Sequence, residues 1–373
     1  MKFKICSLLV ILTLAFTACA PDPTATPTLE PPPAATQPPA PTQLPTAAAT
    51  EAPAGAPPSA AVPSAPPAAG TNAAHGQFVY APGDGSIWIQ DAASGQARAL
   101  IKSNASAFAD APAFSPDGQS VVYTLSVLSA QGAAQNTLHV IGADGNNDRL
   151  AVQPPDVATE LTSPVFSPDG KWIYYTASYP VPPSQEHFEI RRTPAGGGAA
   201  QTVLTNAQTP VLSADGKRLA FLRFNFQTFA ASLWIANING QNPKQLLADN
   251  VFSIIATPRF SPDGEWILFS ASGPPSHALP GAACQPRVFC EFAQPVYADG
   301  LPWDLWLVSV DGAHFQQLTK MGADSPYPAW SRDGRSVVFF ATGGIFSVDV
   351  NTRAVSQISN NGGHGVFDWW AEP

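Results

Sequence analysis

Phe114-Ser115-Pro116-Asp117-Gly118 recurs unchanged at Phe166-Ser167-Pro168-Asp169-Gly170 and at Phe260-Ser261-Pro262-Asp263-Gly264. Its outline returns in Leu212-Ser213-Ala214-Asp215-Gly216 and Trp330-Ser331-Arg332-Asp333-Gly334. A proline stands two residues before each leading apolar residue: Pro112, Pro164, Pro210, Pro258 and Pro328. The copies start 52, 46, 48 and 70 residues apart. Self-similarity on that scale marks an array of repeated supersecondary units. Proline presets the second position of a tight turn, Ser and Asp bond the nearby backbone, and glycine takes the last position without steric cost. The aspartates are thereby explained as turn formers. One carboxylate per turn falls well short of the oxygens that calcium takes, and no metal is assigned.

Working outward, each turn is followed by an apolar or alternating run: Ser120 to Thr124, Trp172 to Thr176, Arg218 to Leu222, Trp266 to Ser270 and Ser336 to Phe340. A variable stretch and two further short strands complete each unit, with Asp144-Gly145, Asn239-Gly240 and Asp311-Gly312 marking a second hairpin. No sustained helical period appears, so the spacing predicts an all-β domain built of four-stranded propeller blades. Five turns account for five blades. The sixth is expected from the ends: Gln77 to Pro82, Ser86 to Asp91 and Ala97 to Ile101 supply three strands and Phe367-Asp368-Trp369-Trp370 the missing innermost one. That pairing would remove two open sheet edges. The expected fold is a six-bladed β-propeller over residues 75–373.

The repeat P-x-[FW]-S-x-D-G, with its L-W strand and Q-L-[LT] strand, resembles the WD40-like propeller repeats of the TolB type over residues 77–370. In TolB an α/β domain precedes the propeller; here a lipid anchor and tether are expected in that place. Roles that rest on that domain are therefore not implied.

The N-terminal part reads differently. Lys2 and Lys4 precede an apolar run, Ile5 to Phe16, and Phe16-Thr17-Ala18-Cys19 ends it. This resembles a bacterial lipoprotein signal over residues 1–18, which implies lipidation of Cys19; an ordinary cleaved secretory signal is the alternative. Residues 19–74, rich in Pro, Ala and Thr, are expected to be a disordered tether, because so little apolar surface cannot offset chain entropy. Loss of Lys2 and Lys4 takes the formal net charge from −9 to −11. Basic runs are no longer than pairs such as Arg191-Arg192, which argues against a nucleic-acid partner. The expected location is extracytoplasmic, on the membrane through the lipid anchor, as a monomer.

Cys284 and Cys290 are expected to form a disulfide, the common state of paired cysteines in an exported chain; free thiols or half of a metal site are the alternatives.

Propeller geometry puts both sets of tight turns on one face and the longer connections on the other: Val127 to Asn136, Ser178 to Glu186, Asn225 to Ala231 and Ala271 to Asp304. Long connections on a rigid scaffold are where binding usually resides. Phe289, Phe292, Tyr297 and Trp303 in the largest insertion, with Tyr179, Phe226 and Phe229 nearby, form the candidate interaction surface; a satellite core is the competing reading of the insertion's aromatics. Trp88, Trp234 and Trp306 hold equivalent third-strand positions, as inter-blade packing requires. His187, His277 and His364, with Glu160, Glu186 and Asp324, are of metal-ligating type, but their spacing is not diagnostic. The common hydrolase, metalloprotease and phosphate-loop motifs are missing, and no cofactor is expected. Binding of a protein or cell-envelope component is the leading expectation. A small ligand at the channel mouth, or a lyase or peptidase there, is the alternative.

Overall fold

The computed structural model describes residues 75–104, 106–128, 134–181, 185–273, 302–363 and 365–371. The signal and tether expected over 1–74 and the Cys284 and Cys290 pair lie outside them. The described residues form six four-stranded sheets. Blade 1 is β24 (Phe367–Trp370), β1 (Gln77–Tyr80), β2 (Ile87–Asp91) and β3 (Ala97–Ile101), from the inside outward. Blade 2 is β4 (Ala107–Phe114), β5 (Ser120–Leu128), β6 (Ala134–Gly142) and β7 (Arg149–Val152). Blade 3 is β8 (Glu160–Phe166), β9 (Trp172–Val181), β10 (Gln185–Pro194) and β11 (Gln201–Thr205). Blade 4 is β12 (Gln208–Leu212), β13 (Arg218–Asn225), β14 (Ala230–Asn237) and β15 (Lys244–Leu247). Blade 5 is β16 (Ile254–Phe260), β17 (Trp266–Ser272), β18 (Trp303–Ser309) and β19 (Phe315–Gln317). Blade 6 is β20 (Tyr327–Trp330), β21 (Ser336–Ala341), β22 (Gly344–Asp349) and β23 (Val355–Ser359).

The ring closes as the sequence predicts. β24 pairs antiparallel with β1, Trp369 opposite Phe78 and Asp368 opposite Val79. The innermost strands β24, β4, β8, β12, β16 and β20 touch in that order and return to β24. Six apolar clusters fill the six seams between neighbouring blades. Trp88, Trp234 and Trp306 each pack in one of these seams, as expected.

The repeated turn works through one hydrogen-bond set. Ser115 Oγ donates to Asp117 Oδ1 at 2.6 Å, the Gln119 N–H donates to the same oxygen at 3.0 Å, and the Ser120 N–H donates to Ser115 Oγ at 2.9 Å. The turns at Ser167, Ser213 and Ser331 repeat the set with similar distances. The serine hydroxyl and the N–H two residues beyond each aspartate hold the Asp117, Asp169 and Asp215 carboxyls below the usual carboxylate range. Gly118 has φ 70°, a backbone that only glycine enters without strain, and a Cβ there would overlap the Trp370 ring. The Trp370 indole N–H donates to Pro116 O at 3.2 Å, so the last strand of the chain is pressed onto the first repeat turn.

The strands of blades 2 and 3 run further than the sequence reading expected. Val127 pairs with Gln135, and Tyr179 with His187, so most of two supposed loops is continued hairpin. The apolar and aromatic residues Val127, Leu128, Tyr179 and Val181 favour extended backbone there.

Candidate functional site

Each blade's first strand runs away from the long-loop face and its second runs back, so the ends of β5, β9 and β13 all reach that face. Val127, Leu128, Val181, Phe226 and Phe229 stand exposed there, joined by Val157 and Met321 from inter-blade connections. Phe229 is 70% exposed and Phe226 38%. Both belong to one aromatic group: Phe188 of blade 3 stacks on Phe226 of blade 4 with centroids 6.0 Å apart, while Phe224 meets Phe226 edge-on at 5.0 Å and Phe229 at 6.4 Å. The asparagine that opens this hairpin fixes its base. Asn225 donates through Nδ2 to Asp249 at 2.7 Å and accepts the Gln227 N–H at 2.9 Å.

Tyr179 is placed differently from Phe226 and Phe229. Its ring packs against His187 at 5.1 Å, and its hydroxyl donates to Glu189 Oε1 at 3.1 Å. Glu189 is buried and also accepts from Arg191 Nε at 2.7 Å and Thr202 Oγ1 at 3.2 Å. Burial raises the Glu189 carboxyl's pKa, but Arg191, Tyr179 and Thr202 outweigh it and leave a net lowering. Tyr179 is thus tied into the wall of blade 3. Trp303 corrects the sequence reading: it opens β18, pairs with Ser272, alternates along the strand in step with the buried Leu305 and Leu307, and is only 5% exposed. It is core, not recognition surface. Phe289, Phe292 and Tyr297 lie outside the described residues.

Of His187, His277 and His364, His187 alone lies among the described residues. His187 Nε2 lies 3.6 Å from Glu189, and Asp324 accepts from Thr342 at the seam of blades 5 and 6. His277 and His364 lie outside the described residues. Glu160 has its pKa raised by burial and by the neighbouring Glu186. Among the described residues no group of three or more His, Cys, Asp or Glu side chains is arranged to hold a metal ion.

The central channel holds a second constellation that sequence reasoning missed. Arg259 on β16 acts electrostatically on Asp368 of β24 and on Tyr327 of β20, and Tyr327 on Asp110 of β4; the Arg259–Asp368 and Tyr327–Asp110 pairs span blades that are not neighbours, which directs these side chains towards the lumen. Asp368 accepts the Phe114 N–H at 2.9 Å, Asp110 accepts its successor's N–H at 2.7 Å, and Arg259 donates to Pro258 O at 3.0 Å. Desolvation raises both carboxyls, lowers the guanidinium and pushes the Tyr327 phenol up to about 12. The backbone here is bulged: β4, β8, β12 and β16 each break register just before the repeat proline, with Ala111, Ser163, Thr209 and Thr257 at φ 52, 51, 56 and 50°. Bulges re-aim the side chains that follow them. On the tight-turn face a cleft of about 450 Å³ separates blades 3 and 4, lined by Asp169, Trp172, Tyr174, Arg192 and Asp215. Arg192 lies over the Trp172 ring at 4.3 Å and donates to the Tyr174 hydroxyl at 3.2 Å.

With this geometry in place, comparison with known proteins is informative about the family. A curated relative, the uncharacterized peptidase YuxL of Bacillus subtilis (strain 168), is 29% identical over 198 residues, which cover 48% of this chain and 29% of that protein's length. TolB from Acinetobacter baumannii superposes with a TM-score of 0.57 at 16% identity, covering 79% of this chain and 66% of TolB. A TolB from Agrobacterium tumefaciens superposes at 0.51 with 18% identity, covering 76% and 88%. At such identities the superpositions speak for the fold alone. The family model described as PD40, TolB beta propeller domain, matches residues 63–270, more than half of the sequence, and the chain belongs to the TolB β-propeller domain family.

Proposed function

We propose that this chain is a non-catalytic interaction module of the cell envelope, held outside the cytoplasmic membrane by a lipid on Cys19, which docks a protein or envelope component on its long-loop face. The observation that carries this reading is the exposed aromatic group of Phe226 and Phe229, buttressed from below by Phe188 and Phe224. Exposed aromatics held by ring contacts lose little freedom on binding and commonly dominate interface energies. The apolar residues Val127, Leu128, Val157 and Val181 extend the same face over the neighbouring blades 2 and 3.

The test is quantitative affinity capture from envelope membranes with the mature chain and with a Phe226→Ser, Phe229→Ser double variant. A component recovered by the wild type and lost by the variant, at unchanged melting temperature, is the expected result. Equal recovery would remove this surface from consideration. Separately, a Cys19→Ala chain that still fractionates with membranes would refute the anchor.

The channel constellation favours a second reading, a small oligosaccharide or peptide ligand held by Asp110, Arg259, Tyr327 and Asp368. Under it, a ligand-induced rise in melting temperature would vanish in Arg259→Met while the capture result stayed unchanged.

A further inference from the structure

Arg223 breaks the pattern of the repeat in one blade only. Five residues after the start of the second strand, the other turn-led blades carry Leu125, Ala177, Ala271 and Ala341, and blade 4 carries arginine. Its guanidinium stacks 4.2 Å above Trp234 and 5.4 Å from Phe221, residues of the seam between blades 3 and 4. Arg223 stands two residues below the end of β13 at the long-loop face, where Phe188 reaches across the same seam to Phe226. Its Nε is buried without a hydrogen-bond partner. No carboxylate offsets the loss of water: burial alone lowers its pKa, and it takes part in none of the ion pairs among the described residues. The residue as a whole is half-buried, so the guanidinium is only partly withdrawn from water, and a carboxylate with fitting geometry supplies the charge-assisted bond that it lacks.

We propose that Arg223 is an anion-recognition point that receives a carboxylate from the docked partner, whose adjoining apolar side chains cover Phe226 and Phe229. The occupant is therefore a protein segment with an Asp, Glu or C-terminal carboxylate next to aromatic or aliphatic residues. This rests on the docking face proposed above and adds the chemistry of what it takes. A negatively charged chain with one uncompensated guanidinium beside its exposed aromatics selects an acid locally where its overall field would repel one.

Two probes test this: N-acetyl-Phe-Glu-Phe-amide and its Gln isostere, titrated into the propeller while the Arg Nε–Hε correlations are followed by NMR. The Arg223 signal is assigned by its loss in Arg223→Lys. The acidic peptide is expected to move that signal and to bind about tenfold or more tightly than the Gln peptide, with the preference abolished in Arg223→Met. Arg223→Met loses the guanidinium's contact with the Trp234 ring but also an unpaired charge, so it should melt within about two degrees of the wild type. Equal binding of both peptides, no movement with either, or a fall of several degrees in the Met variant would each overturn the assignment. If the acid preference survives Phe226→Ser, Phe229→Ser, the anion point stands and the aromatic docking face falls. If both peptides bind equally and both are lost in that variant, the face stands and the anion point falls.

Discussion

Replacing Phe367 by alanine tests whether the ring is sealed by its last strand. Phe367 is wholly buried on β24, 5.3 Å from Phe78 and stacked 6.1 Å from Phe340 at 3°. It therefore joins blade 1 to blade 6 in one cluster with Tyr80, Val338 and Ile345. Neighbours on both sides are strands of the sheets themselves, so the site has little room to collapse. Loss of a buried phenylalanine from such a site costs about 3–5 kcal/mol, which for a domain of this size is roughly 6–10 °C of melting temperature. Thermal unfolding followed by far-ultraviolet circular dichroism reads the change. The control is Ile358→Ala on β23, 42% exposed, expected to shift stability by no more than about 0.5 kcal/mol. A Phe367→Ala shift as small as the control's would mean that β24 frays independently of the ring and that closure does not carry the fold.

Other expectations follow from the same geometry. Gly118→Val and Gly216→Val meet similar backbone strain, φ 70° and 68°, but only the first overlaps Trp370; Gly118→Val should be the less stable by about 1–3 kcal/mol and should alone alter tryptophan fluorescence. Replacing residues 274–301 by a short turn should leave the melting temperature nearly unchanged, since Ser272 and Trp303 already face each other in the ladder; lost partner capture would move docking onto the insertion. Asp117, Asp169 and Asp215 have lowered folded pKa values, so their contribution is complete above the unfolded carboxylate pKa and is lost as pH falls through the folded value. Acid melting curves of Asp117→Ala should accordingly be flatter than the wild type's. Asp110 has the opposite shift: its ionised form is disfavoured in the fold above the raised pKa, so Asp110→Asn should raise the melting temperature at pH 7 and have no such effect at pH 3, where both states hold the proton.

How much of this was legible in the sequence differs by scale. The starts of β5, β9, β13, β17 and β21 fall at Ser120, Trp172, Arg218, Trp266 and Ser336, where the turn chemistry placed them, because the Ser-x-Asp-Gly set is local and closes its own hydrogen bonds. Ring closure was legible too, from unpaired strands left over at both ends. The meeting of Asp110, Arg259, Tyr327 and Asp368 was not: they are far apart in the chain and only the curvature of the whole ring brings them together. Trp303 was misplaced because the ladder that makes it strand, its pairing with Ser272, is a contact between residues far apart in the chain. Arg223 could have been found by laying the repeats over one another, where a single charge stands in a column of Leu and Ala.

The pairing of Gln77 with Trp370 also sets a path for mechanical load. Both outer ends of the closing pair leave at the tight-turn edge, opposite Phe226 and Phe229. Tension between the two chain ends would peel β1 from β24 one pair at a time. A pull on the N-terminal side against a ligand gripped on the far face runs instead along the axis of β1, which is flanked by β2 and β24. Its cross-strand bonds, perpendicular to that axis, then bear the force together in shear, and the joint resists most in that direction.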